Sequence, residues 1–109
     1  ELHHQGKISI EKIAEKMCHT PADIFDIDKR GYLKKGNWAD IAIVNPKSSW
    51  VVKRSNLLYK CGWSPFEGQE FQAKVTHTIV NGELVYKNDS ELSPVFYEEI
   101  KGKRLKFNR

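Results

Sequence analysis

Apolar and polar positions follow two different rhythms along this chain. Over residues 10–18, Ile10, Ile13, Ala14 and Met17 recur at i, i+3, i+4 and i+7, while Glu11, Lys12, Glu15 and Lys16 occupy the other face. This spacing predicts an amphipathic helix, with Ser9 placed to cap it. Residues 1–5 read as the end of an incoming helix that Gly6 stops. Thr20-Pro21-Ala22-Asp23 predicts a second, separate helix start. Thr20 caps it, Pro21 takes the first helical position, Asp23 meets the positive helix end, and Ile24 and Phe25 anchor it.

The rhythm changes at Gly31. A turn at Lys34-Lys35-Gly36 precedes an apolar run over 38–44 that has strand length. Asn45-Pro46-Lys47-Ser48 predicts a turn and Trp50-Val51-Val52 a short strand. Residues 53–72 read as irregular, with Cys61-Gly62-Trp63-Ser64-Pro65-Phe66-Glu67-Gly68 at their centre. Two β-rich runs, 74–80 and 83–86, flank Asn81-Gly82, the strongest short hairpin signal available. From Lys87 the chain is polar, with Phe96, Tyr97 and Ile100 available to dock it. Helices followed by short strands predict an α+β arrangement at the junction of a helical layer and a separate β-domain.

The length of 109 residues excludes a complete (β/α)₈ barrel, which needs roughly 250. Hydrophobic residues make up 39% and charged residues 29%, which is compatible with a folded chain. The net charge of +4 is modest, and much of it sits among Lys101, Lys103, Arg104, Lys106 and Arg109. Spread out in this way it predicts no nucleic-acid footprint, which needs a clustered basic face. No apolar run approaches a membrane span and there is no basic-then-apolar leader, so the expected location is cytoplasmic, with no membrane partner. Cys18 and Cys61 fit no CxxC pattern and are expected to be free thiols. Glu1 in place of an initiator methionine, with Met17 the only methionine, suggests a fragment of a longer protein.

Candidate chemistry is sparse. His3-His4 and Cys18-His19 are adjacent pairs that point to different faces, and His77 lies mid-strand, so no metal site is expected from this chain. Ser64 precedes a proline and is no nucleophile elbow, and Cys61 has no neighbouring base. Asp23, Asp26 and Asp28 suit a capped, solvated loop. Trp38, Trp50 and Trp63 are expected to pin a small β-layer by burial. Exposed together with the basic tail, they would instead make a freestanding β-rich module that binds RNA or an acidic peptide. The catalytic, cofactor-binding and metal-ligand sets assigned to this chain are therefore all empty.

Several segments carry a resemblance. Pro21-Ala22-Asp23-Ile24-Phe25, followed by Arg30-Gly31-Tyr32-Leu33-Lys34-Lys35-Gly36-Asn37-Trp38-Ala39-Asp40-Ile41-Ala42-Ile43-Val44, resembles the C-terminal signature of the amidohydrolase superfamily. Lys60-Cys61-Gly62-Trp63-Ser64-Pro65-Phe66-Glu67-Gly68 and the run from Val75 to Tyr86 look like the end of the dihydroorotases of the larger, allantoinase-like type. The Ser-Pro-Phe-Glu-Gly loop is the discriminating piece, because the Ala-Asp strand also fits dihydropyrimidinases and allantoinases. Asn37-Trp38 departs from nothing fixed in the family.

The resemblance implies a zinc hydrolase on a (β/α)₈ barrel that interconverts N-carbamoyl-L-aspartate and (S)-dihydroorotate in pyrimidine biosynthesis. Its metal ligands are an HxH pair, a carboxylated Lys, two further His and an Asp, none of which maps onto this chain. It also implies a division of this chain into barrel helices over 1–28, part of an accessory β-sandwich over 29–90, and a basic tail over 91–109. The expected partners are the rest of the polypeptide and a second copy. Zinc belongs to the parent enzyme, and the chain alone is expected to be inactive. A relative that has lost its metal ligands and serves as a scaffold would look the same here. Asp40 is expected to accept backbone N–H groups and fix a turn.

Overall fold

The computed structural model describes residues 1–89 and 93–108. The expected boundary between residues 90 and 91 therefore lies outside the described residues, as does Arg109.

At the start, Gly6 adopts a left-handed φ of +68°. Lys7 N–H reaches Leu2 O at 3.0 Å and Gly6 N–H reaches His3 O at 2.9 Å. These two bonds make the paired closure of a Schellman cap, so Gly6 ends the incoming turn. Ser9 then caps α1 (Ile10–Ala14), its Oγ accepting from Lys12 N–H at 3.1 Å.

The second helix start is not realised. Residues Glu15–His19 form a π-turn and lead directly into α2 (Thr20–Ile24). Ala14, His19 and Thr20 all keep right-handed helical dihedrals, and Thr20 N–H bonds Glu15 O. Thr20 is therefore no N-cap, and residues 10–24 run as one helical segment. Pro21 explains the correction. It lacks an N–H and crowds the preceding turn of an α-helix, and the wider π-turn relieves that crowding without ending the helix.

Two antiparallel sheets follow. The larger has the order β1-β4-β5-β6, built from β1 (Ile41–Asn45), β4 (Lys74–Val80), β5 (Glu83–Lys87) and β6 (Val95–Phe96). The smaller pairs β2 (Trp50–Val51) with β3 (Glu70–Phe71). The hairpin turn lies where the sequence predicts it: Asn81 has φ +53° and Gly82 φ +86°. Positive φ at both central residues matches the right-handed twist of the flanking strands, and Gly tolerates it without cost. β1 begins later than the apolar run: residues 38–40 stay outside the ladder, with Asp40 N–H bonded to Trp38 O at 3.1 Å. Strand β3 has no counterpart in the sequence reading, and a short 3₁₀ turn (Arg54–Asn56) interrupts the segment read as irregular.

Few side chains are buried within the described residues. Only Ala22 and Val52 among the apolar residues are nearly inaccessible, at 6% and 4% exposure. Ile10 and Met17 at the ends of the apolar helix stripe are exposed while Ile13 and Ala14 are half-buried, and the expected anchors of α2, Ile24 and Phe25, are exposed as well. The accessible surface is 8785 Å². A compact monomer of this size exposes about 6,200 Å². The radius of gyration of 15.8 Å likewise exceeds the roughly 13 Å expected of a compact domain this long.

Candidate functional site

The most connected cluster joins the end of the helical segment to the large sheet. Arg30 ion-pairs with Asp40, and its Nη2 donates to Asn81 Oδ1 at 3.1 Å. The other oxygen of Asp40 accepts the backbone N–H of Asn81 at 2.8 Å. Gly82 N–H bonds Ala39 O at 2.9 Å. Asp40 thus accepts a backbone N–H, as the sequence predicts, and the turn it holds is the β4–β5 hairpin. The Arg30 side chain is 11% exposed, which makes its carboxylate partner structurally necessary.

Gly31 sets how closely this junction meets the helix. Its φ is +82°, and a Cβ there would lie 2.3 Å from Ala22 Cβ and 2.7 Å from Cys18 O. The sequence suggests a turn glycine, and the structure adds this close approach. Next to it, the His19 ring stacks on Tyr32 at 4.2 Å between centroids. Tyr32 Oη donates to Asp23 Oδ2 at 2.6 Å. That hydrogen bond, with some loss of hydration and the Asp23 charge, raises the phenol above its ordinary value.

The Ser-Pro-Phe-Glu-Gly loop is a structural clasp. Ser64 Oγ accepts from Phe66 N–H at 3.1 Å, so the hydroxyl stabilises a turn. Gly68 N–H bonds Val52 O at 2.9 Å, and Val52 N–H bonds Gln69 O at 3.0 Å. Glu67 pairs with Arg54 at 3.3 Å. Phe66 sets its edge on Phe71 at 5.9 Å. These contacts close the loop onto the small sheet around buried Val52.

The structure separates the other residues considered for chemistry. His3 contacts Ile8 O, His4 contacts Pro46 O, and His77 contacts Thr76 Oγ1. Among the described residues, no three His, Cys, Asp or Glu side chains converge to hold a metal ion. The residues present do not fit the zinc site of an amidohydrolase, and no catalytic step is assigned to them. Cys18 and Cys61 are free and exposed. Among the described residues no helix is long and apolar enough to cross a membrane.

The three tryptophans do not behave alike. Trp50 meets the expectation of a β-layer pin: it is half-buried, donates to Ala73 O at 3.0 Å and packs on Phe71. Trp63 is 59% exposed and Trp38 40% exposed, so neither is pinned by burial in this chain. Trp38 is nonetheless approached from the C-terminal tail, with Lys103 Nζ 4.2 Å from its ring centroid.

The chain is 39% identical over 102 residues to a dihydroorotase of Pyrococcus furiosus, covering 92% of this chain and 24% of that protein. It is 41% identical over 87 residues to a dihydroorotase of Endomicrobium trichonymphae, covering 80% and 21%. It is 41% identical over 86 residues to a dihydroorotase of Geobacter metallireducens, covering 79% and 20%. The chain thus spans about a quarter or less of the length of these curated relatives. The sequence profile of the Amidohydrolase family matches residues 1–85. On that match, which takes in the helical segment, the Arg30–Asp40 junction and most of the hairpin, the chain belongs to the amidohydrolase family.

Proposed function

We propose that this chain is the C-terminal segment of a dihydroorotase. The parent enzyme is a zinc-dependent cyclic amidohydrolase that interconverts N-carbamoyl-L-aspartate and (S)-dihydroorotate in pyrimidine biosynthesis. The observation that carries the reading is the 39% and 41% identity to dihydroorotases over 102 and 87 residues, most of this chain. In this reading residues 1–28 complete a (β/α)₈ barrel, residues 29–90 contribute strands to an accessory β-sandwich, and residues 91–109 form a tail. The parent acts in the cytoplasm, binds zinc through ligands outside this chain, and associates with a second copy.

The role of this chain is then mechanical. Its helical segment offers Ile10, Met17, Ile24 and Phe25 to a neighbour, and its sheet offers the exposed Ile43 and Val44. The surplus accessible surface supports a partner on those faces. The rest of the polypeptide is the occupant that the family relationship favours.

The test is an assay of the whole gene product with zinc, beside residues 1–109 alone. Dihydroorotate hydrolysis by the whole protein and none by the chain supports the reading. A zinc-loaded whole protein that is folded but inactive favours the metal-less scaffold. A chain that is active alone with zinc, at a rate near the whole protein's, overturns its supporting role.

A further inference from the structure

The C-terminal residues are not loose. Ile27 and Phe107 form an antiparallel bridge, Asp28 N–H bonds Lys106 O at 2.8 Å, and Asn108 N–H bonds Asp26 O at 2.9 Å. The tail therefore lies along the loop that follows α2. Trp38 N–H bonds Lys29 O at 3.0 Å, which brings the tryptophan to the same place. Cationic residues that look scattered along the sequence now line one cleft of about 260 Å³: Lys29, Arg30, Lys103, Arg104 and Lys106, with Trp38 as its apolar wall.

The charge in this cleft is poorly neutralised. Arg30 is matched by Asp40. Lys29, Lys103, Arg104 and Lys106 have no ion-pair partner among the described residues, and Asp28 is the only carboxylate on the wall. Lys103 Nζ sits over the Trp38 ring, 4.2 Å from its centroid. A cation–π contact holds the ammonium in position without cancelling its charge. Cations gathered around a concave surface repel one another, and an anion that enters the cleft relieves that repulsion. Arg and Lys together suit phosphoryl oxygens, since Arg supplies a planar fork and Lys a point charge.

We propose that this cleft is a binding site for a small ligand carrying a diphosphate group. Two linked phosphoryl groups match the unpaired positive charge more closely than a single phosphate does, and they fit a cleft of this volume. The site lies on the tail and the loop after α2, apart from any hydrolytic chemistry of the parent. It therefore stands or falls independently of the dihydroorotase reading.

The experiment titrates the whole gene product with inorganic pyrophosphate, with ADP and with a short single-stranded RNA, by calorimetry at fixed ionic strength. Lysine acetylation of the unmodified protein, read by mass spectrometry with and without pyrophosphate, locates the contact. Saturable pyrophosphate binding is expected, with protection of Lys29, Lys103 and Lys106. Arg104→Glu with Lys106→Glu is expected to weaken it about tenfold or more, whereas Lys47→Glu with Lys60→Glu, the same change in net charge outside the cleft, leaves it within about twofold. Equal affinity for pyrophosphate and ADP assigns recognition to the diphosphate alone, and tighter ADP binding adds a contact from the nucleoside. Both results support the site. The proposal is overturned by an absence of saturable binding, by equal losses in the two double variants, by acetylation protection that spares the cleft, or by RNA binding more tightly than either small anion through the same residues. The acetylation measurement needs no variant, so it decides the matter even if the charge reversals disturb folding.

Discussion

Asp40, just before β1, and Asn81, in the turn between β4 and β5, meet at one end of the large sheet: the Asp40 carboxylate accepts the Asn81 backbone N–H at 2.8 Å. The same carboxylate neutralises Arg30, and Arg30 returns to the Asn81 side chain. One acidic residue therefore ties the loop after the helical segment to the turn between β4 and β5. Within this segment the Ala-Asp pair that carries the family resemblance acts as a brace.

Asp40→Ala is expected to destabilise the protein by about 2–3 kcal/mol, because it removes the acceptor for Asn81 N–H and strands a poorly solvated guanidinium. Asp40→Asn keeps an acceptor and loses only the charge, so its cost is expected to be smaller. Urea unfolding of the two variants checks the order. Equal stability of Asp40→Ala and the parent would mean that the brace contributes nothing.

Gly31 and Gly36 both have positive φ, yet they are expected to respond differently to alanine. At Gly36, with φ +91°, a Cβ meets nothing within 4 Å. Gly36→Ala therefore costs only backbone strain, about 1–2 kcal/mol. Gly31→Ala adds overlap with Ala22 and Cys18, and is expected to cost about 3 kcal/mol or more. Thermal melts of the two variants separate the steric contribution from the conformational one.

The sequence legibility of this fold follows the locality of its causes. The Asn81-Gly82 hairpin, the Gly6 closure and the Ser9 cap were readable because each depends on a few adjacent residues. The π-turn over Glu15–His19 was not, because Thr20-Pro21-Ala22-Asp23 carries the same composition whether a helix starts there or passes through. Strand β3 is two residues long and shows no period. The basic cleft depends on backbone pairing of Ile27 with Phe107, which no local pattern announces. The distinct fates of the tryptophans have the same origin, since burial of Trp50 depends on a carbonyl at Ala73. At the site level, Asp40 was legible as a turn acceptor, but its pairing with Arg30 was not.

The Tyr32 phenol is expected to titrate above the ordinary tyrosine range, with the Asp23 hydrogen bond as the main cause. A raised folded-state value means that the folded protein holds this proton more tightly than the unfolded chain. Its contribution is therefore complete below the unfolded value and is lost as pH rises through the folded one. Ultraviolet absorbance titration should show Tyr32 ionising late. Asp23→Asn should return it to the ordinary range, and an unchanged titration would remove Asp23 as the cause.

The exposed faces give a prediction whose sign depends on context. Strand β1 sits at an edge of the four-stranded sheet, and its Ile43 and Val44 are 44% and 50% exposed. An open apolar edge is a template for pairing with another chain. Residues 1–109 alone are therefore expected to bind an apolar dye and to self-associate. Ile43→Lys should reduce that association, because a charged residue on an edge strand opposes pairing. In the whole gene product the proposed neighbour covers this edge, and the same substitution forces a charge against packed apolar surface. A loss of about 2 kcal/mol is expected there. Light scattering of the chain and urea unfolding of the whole protein, each with and without Ile43→Lys, measure the two effects. A substitution that is neutral in the whole protein would mean that β1 stays open to solvent, and would remove the support that the surplus surface lends to a covering partner.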